Sequence, residues 1–142
     1  MRRALDLARQ AGEAGEVPVG CVVAGPDGAV IGTGRNRREE EHSALAHAEV
    51  EAIGAACREL GSWRLEHCAL YVTLEPCPMC AGAILNARIP EVFFGAAEDR
   101  SGCCGSVLDL FAEDFGSRPK VYGGLLEEEC REVLTDFFQA LR

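Results

Sequence analysis

Two short motifs constrain this chain more than any other feature: His47-Ala48-Glu49 and Pro76-Cys77-Pro78-Met79-Cys80. Each opens a stretch with helical apolar spacing, so each marks a point where a loop or strand must turn into a helix. Cysteines three positions apart in a first helical turn share one face, which is the bite a tetrahedral zinc ion needs. The helix N-terminus there also favours the thiolate form. A fold that brings His47 to the same place adds a nitrogen donor.

The rest of the pattern supplies such a fold. Arg2 to Ala14 place Leu5, Ala8 and Ala11, or Leu7 and Ala11, on one stripe of an amphipathic helix that Gly12 and Gly15 end. Val17 to Ala24 is a β-branched strand, Gly25-Pro26-Asp27-Gly28 is turn chemistry, and Ala29 to Gly34 is a second strand, which together predict a hairpin. Residues 35 to 46 have no period and read as a loop. From His47, the apolar positions Val50, Ile53, Cys57 and Leu60 predict a helix stopped by Gly61. Cys68 to Thr73 reads as a strand, and Cys77 to Arg88 as a helix through Cys80, Ala83, Ile84 and Ala87. Glu91 to Gly95 is a strand, Ala96 to Gly105 a small-residue loop, Ser106 to Phe111 a short helical stretch and Lys120 to Gly123 a last strand. The tail from Leu125 aligns Leu126, Cys130, Val133, Leu134, Phe137, Phe138 and Leu141 as a helix docking on the core. Strands alternating with helices after a hairpin imply an α/β sheet with helices on both faces. At 142 residues, with no repeat or linker, the chain is expected to be one domain, 1–142.

Composition bounds the partners. A formal charge of −9 argues against a protein that coats nucleic acid generically, so a polyanionic partner requires a local basic patch. Arg35, Arg37 and Arg38, with Arg100, Arg118 and Lys120 on later loops, read equally as a phosphate track or as solvated loops balanced by Glu39, Glu40 and Glu41. Eight cysteines are too few for a disulfide-stapled scaffold. Asp6, Arg9 and Gln10 interrupt any export signal after Arg2 and Arg3, and no apolar run approaches a membrane span. A cytoplasmic protein with free thiols, and no membrane partner, is the expectation. Cys21, Cys57, Cys68 and Cys130 read as core residues, Cys103-Cys104 as small buried residues in a glycine-flanked loop, His42 and His67 as surface, and Trp63 as a cover for the core edge.

With His47, Cys77 and Cys80 as ligands, one tetrahedral position stays open, as in catalytic rather than structural zinc sites. Glu49 then suits a proton carrier, provided the turn before His47 aims both side chains into one pocket. Alone, a C-x-x-C more often packs a core or makes a redox pair, and a lone H-x-E is weaker still. Together, H-x-E followed by P-C-x-x-C is the signature of zinc deaminases acting on cytosine or adenine.

Longer stretches make the likeness specific. Glu16-Val17-Pro18-Val19-Gly20, Ala46-His47-Ala48-Glu49, Leu70 to Ala83, Gly102-Cys103-Cys104-Gly105-Ser106, Leu126 to Cys130 and Asp136-Phe137-Phe138 resemble the bacterial tRNA adenosine deaminase family over nearly the whole chain. The resemblance implies a cytidine deaminase-like α/β fold, a three-layer sandwich with a central five-stranded mixed sheet between helices, acting as a homodimer. The implied reaction is hydrolytic deamination of the wobble adenosine in a tRNA anticodon arm to inosine. By resemblance, His47, Cys77 and Cys80 hold one zinc per chain whose hydroxide attacks C6, Glu49 shuttles the proton and Asn36 hydrogen-bonds the flipped base. Arg37, Arg38 and Arg118 are the candidate RNA contacts. The chain departs from the family at Ser43-Ala44-Leu45, at Glu98, and at Gly116-Ser117-Arg118, where only the arginine of an Asn-His-Arg stretch remains. Two alternatives stay open: a deaminase of free guanine, cytosine or nucleoside, and a non-catalytic zinc-stabilised interaction subunit.

Overall fold

The expected hairpin forms in the computed structural model, which describes residues 1–142. β1 (Gly20–Ala24) pairs antiparallel with β2 (Val30–Arg35), Cys21 opposite Gly34 and Val22 opposite Thr33. At the turn, Gly28 takes φ +83 and Asp27 Oδ1 accepts the Ala29 N–H at 3.0 Å. β1 also pairs antiparallel with β3 (Ala69–Leu74), which runs parallel to β4 (Glu91–Ala96), itself parallel to β5 (Lys120–Gly123). The order β2-β1-β3-β4-β5 is a five-stranded mixed sheet. It is the central five-stranded mixed sheet that the resemblance implied.

Helices cover both faces. α1 (Arg2–Glu13) and α4 (Glu127–Ala140) lie on one side, while α2 (Ala48–Leu60) and α3 (Pro78–Asn86) lie on the other. The main core, between the sheet and α2 and α3, encloses Val23, Leu70, Val72, Ile84 and Val92 with no exposed area. Each large aliphatic side chain buried this way contributes about 2 kcal/mol.

The seating of α2 differs from its apolar spacing. The buried residues are Ala48, Glu49, Ala52, Ile53 and Ala56, while Leu60 is exposed and Val50 and Cys57 are half-buried. Gly32 and Gly34 of β2 explain the rotation. A Cβ at Gly32 would collide with the Ala52 carbonyl and one at Gly34 with the Ala48 carbonyl, so a small-residue face lies directly on the strand backbone.

Three other expectations are corrected. Ser106 to Phe111 is not helical: Gly105 takes φ +129, Cys104 bridges to Asp109, and a single 3₁₀ turn covers Leu110–Ala112. The chain bends there because Ser106 is drawn to the Glu75 carboxylate by both its N–H and its hydroxyl. α4 docks only in part. Cys130 is buried on Gly95 of β4, and Val133 and Leu134 pack beside it, but Phe138 and Leu141 are 45% and 69% exposed. Cys130, in the first turn, is the buried residue of this 14-residue helix, so its C-terminal end is the part left undocked. Trp63 covers no core edge; it is 56% exposed beneath the Arg64 guanidinium.

Candidate metal centre

Two helix starts meet at one point. His47 is the N-cap of α2, with extended backbone (φ −81, ψ 150), and Cys77 is the N-cap of α3 (φ −78, ψ 176), with Pro78 in the first turn where a missing N–H costs nothing. Neither side chain caps its own helix, so both are free to point across the gap. Cys80, one turn into α3, is fully buried.

The donor atoms of His47, Cys77 and Cys80 lie within 4.8 Å of one another. His47 Nδ1 is 3.6 Å from Cys77 Sγ and 3.4 Å from Cys80 Sγ. Tetrahedral bonds of about 2.3 Å to sulfur and about 2.0 Å to nitrogen place a sulfur and a nitrogen ligand about 3.5 Å apart. The residues therefore fit zinc in both donor type and spacing. No fourth His, Cys, Asp or Glu joins the group, so one tetrahedral position is left without a protein ligand.

The three donors also share protons. Cys77 is drawn down to about 4, first by its hydrogen bond from Cys80 and then by His47, against burial. Cys80, the partner that keeps its proton, is pushed far up by that same bond and by burial. The bond to Cys77 raises His47. The pair thus favours the thiolate at Cys77 over Cys80, and a dication would favour release of the second thiol proton.

Glu49 stands two residues into α2 and is buried at 4% exposure. Burial raises its carboxyl above the ordinary range, opposed by hydrogen bonding with Cys80 and by the nearby His47. Residues i and i+2 of a helix diverge, but His47 precedes the helix in extended conformation, and both side chains line one cavity of about 250 Å³.

Val17, Val19, Asn36 and Arg38 line one side of that cavity, Glu75, Glu98 and Ser101 another, and Phe138 of α4 also reaches it. Asn36 is buried and fixed: its Nδ2 donates to the Val17 carbonyl at 3.1 Å, and its Oδ1 accepts the Arg38 N–H at 3.2 Å. Each end of the amide keeps one further N–H or lone pair. Of the expected RNA contacts, only Arg38 lines the cavity. Arg37 pairs with Glu40 at 2.8 Å and with Glu51 at 3.1 Å, and Arg35 pairs with Glu40 at 3.1 Å, so the glutamate run engages two of the three loop arginines. Arg118 is exposed before β5 and does not line the cavity.

Sequence reasoning passed over three residues. Phe138 shares the apolar face of α4 in the sequence, yet it lines the cavity and is 45% exposed. Glu16 and Glu75 carry no local signal, because their partners are backbone N–H groups at least 23 positions away. Cys57 is half-buried rather than core, and His42 and His67 are exposed, as expected.

Residues 1–96, which carry every donor of this centre, match the cytidine and deoxycytidylate deaminase zinc-binding region. The chain belongs to this deaminase family. It is 47% identical over its whole length to a tRNA-specific adenosine deaminase of Bacillus subtilis, of which it spans 88%. It is also 48% identical to a tRNA(Ile)-lysidine synthase of Deinococcus deserti, of which it spans only 27%. A solved structure from work on A-to-I editing by tRNA:A34 deaminases at the wobble position of transfer RNA superposes with a TM-score of 0.90 at 45% identity, covering 94% of this chain and 97% of that one. In this zinc-binding deaminase family, His47, Cys77 and Cys80 form the candidate zinc site of the chain.

Proposed function

We propose that this deaminase converts the wobble adenosine of a tRNA anticodon arm to inosine by hydrolysis, with residues 1–142 acting as a single zinc-dependent domain. One observation carries the reading: three convergent zinc donors with no fourth protein ligand, on a cavity that also holds a buried carboxylate at Glu49. A structural zinc site is closed by four protein ligands and has no use for a proton carrier, which speaks against a non-catalytic subunit. The full-length likeness to a tRNA-specific adenosine deaminase supports RNA over a free base.

His47, Cys77 and Cys80 hold the ion, which supplies Lewis acidity and lowers the pKa of water toward neutrality. The chain's own groups do the rest. Glu49 takes a proton from the attacking water and delivers it to purine N1, then carries the second proton from the new C6 hydroxyl to the amino group, so that the C6–N bond breaks, ammonia leaves and the C6 carbonyl of inosine remains. Asn36, held by its bonds to Val17 and Arg38, offers its remaining N–H and lone pair to the edge of the base. Val17, Val19 and Leu74 give the extruded base apolar contact. An anticodon loop makes that extrusion easier than a duplex would.

Arg38 contacts a phosphate at the rim, Arg118 contacts the arm outside the cavity, and Arg37 supports the loop through Glu40 and Glu51. The proposed working form is a cytoplasmic homodimer. In support, Leu45, Val107 and Leu108 are more than half exposed and would be covered by a second copy, and no helix is long and apolar enough to cross a membrane. The test is incubation with an anticodon stem-loop, alongside free guanine and cytosine. Inosine in the RNA is expected; ammonia from a free base with unedited RNA would assign the cavity to free-base deamination.

A further inference from the structure

Two buried carboxylates outside the chemistry proposed above hold loops of the cavity, and neither pairs with a cation: Glu75 lines the cavity, and Glu16 directly precedes its lining residue Val17. Glu16, between α1 and β1, is 1% exposed. Its Oε1 accepts the N–H groups of Glu39 at 2.7 Å and Glu40 at 2.9 Å, and its Oε2 lies 3.2 Å from the Glu39 nitrogen. Glu75, just after β3, is 3% exposed. Its Oε1 accepts the Glu98 N–H at 3.1 Å and the Ser106 hydroxyl, and its Oε2 accepts the N–H groups of Cys104 at 2.9 Å and Ser106 at 3.1 Å. Gly102 lies so close that a Cβ there would strike the Glu75 carboxyl group.

Burying a carboxylate without a cation is unfavourable unless its lone pairs are taken up. Each group therefore favours the loop conformation that delivers those N–H groups. The segment held by Glu16 carries Asn36 and Arg38 to the cavity, and the segment held by Glu75 carries Glu98 and Ser101. Neither acid bonds directly to the zinc donors.

We infer that Glu16 and Glu75 are a pair of positioning residues for substrate engagement, each fixing one loop of the cavity through backbone N–H groups and together setting the gap that admits the base. The inference rests on the deaminase reading of the cavity. It also separates the two acids. Glu16 places both of its short bonds on one oxygen, so glutamine at that position keeps both. Glu75 divides four donors between two oxygens, so glutamine cannot serve them all: an NH₂ in place of Oε1 faces the Glu98 N–H while the Ser106 hydroxyl can turn to accept from it, and an NH₂ in place of Oε2 faces the N–H groups of both Cys104 and Ser106.

The full chain and its variants Glu16→Ala, Glu16→Gln, Glu75→Gln and Ser106→Ala are compared by zinc content, amide hydrogen exchange, and kcat and KM for inosine formation in an anticodon stem-loop. About one zinc per chain is expected throughout. Glu16→Ala loses amide protection at residues 39 and 40, and Glu75→Gln at 98, the amide that the better-matched glutamine orientation leaves without an acceptor. Each raises KM about tenfold while kcat changes less than about threefold. Glu16→Gln restores most of what Glu16→Ala loses, and Ser106→Ala falls between the wild type and Glu75→Gln. Loss of protection with unchanged KM, or a KM rise that tracks zinc loss, overturns the inference. If Glu75→Gln does not fold, the Glu16→Ala and Glu16→Gln pair decides it. A wild type that makes no inosine defeats the tRNA reading instead. Positioning is then judged by exchange alone: unchanged protection in Glu16→Ala and Glu75→Gln overturns it, and lost protection supports it.

Discussion

At the floor of the cavity, Glu49 is buried, Cys80 is buried behind His47 and Cys77, and all four stand at the starts of two helices. At the rim, Arg38 and Phe138 are exposed, and the neighbouring arginines are tied to Glu40 and Glu51. The floor draws its geometry from helix starts packed against the sheet, whereas the rim draws its geometry from loops held by side-chain bonds. The two should therefore fail differently: the floor in turnover and metal retention, the rim in affinity.

The largest effect should follow removal of the metal. His47→Ala or Cys80→Ala, or exposure of the wild type to a strong chelator, should take zinc content toward zero and inosine formation to background. Zinc added back should restore the chelated wild type but not the variants, as metal analysis and activity on one sample would show. Next, Glu49→Ala should lower kcat about a thousandfold while keeping about one zinc per chain. Loss of zinc in that variant would make Glu49 part of the metal site and erase its separate role at the floor.

A smaller effect tests what holds the floor in place. Gly34→Ala should destabilise the protein by about 2 kcal/mol, since the new methyl meets the Ala48 carbonyl rather than a side chain that can turn away. A denaturant midpoint at the wild-type value would show that α2 can shift. The smallest effect belongs to the rim. Arg38→Ala should reduce the salt dependence of stem-loop binding by about one counterion, while Arg37→Ala leaves it nearly unchanged. Equal slopes for the two variants would blur the difference drawn between a free and a paired arginine.

The metal centre was legible because ligand type, ligand spacing and a helix start can all be read along one dimension. His47, Cys77 and Cys80 met as expected, and the strand and helix order gave the sheet that brings them together. The seating of α2 was not legible in the same way. Ala48, Ala52 and Ala56 look weakly apolar beside Val50 and Leu60, and what selects the alanine face is a pair of glycines on a different strand. Nor does sequence order tell Arg37 from Arg38. Their roles separate only when Glu51, 14 positions from Arg37, closes the ion pair. Ser106 to Phe111 has helix-compatible residues, and the carboxylate that unwinds it lies 31 positions away.

The contact between α2 and the glycines of β2 bears on how this enzyme can change. Where Ala48 and Ala52 lie against Gly34 and Gly32, main chain faces main chain, and no side chain on the strand is available to be trimmed or enlarged. Substitutions at Val17, Asn36 or Glu98 can reshape the cavity without displacing Glu49 from the zinc donors, whereas any side chain added to that stretch of β2 must lift the whole helix. The seat of α2 and the walls of the cavity are thus separable: the walls can be remodelled one side chain at a time, and the seat cannot.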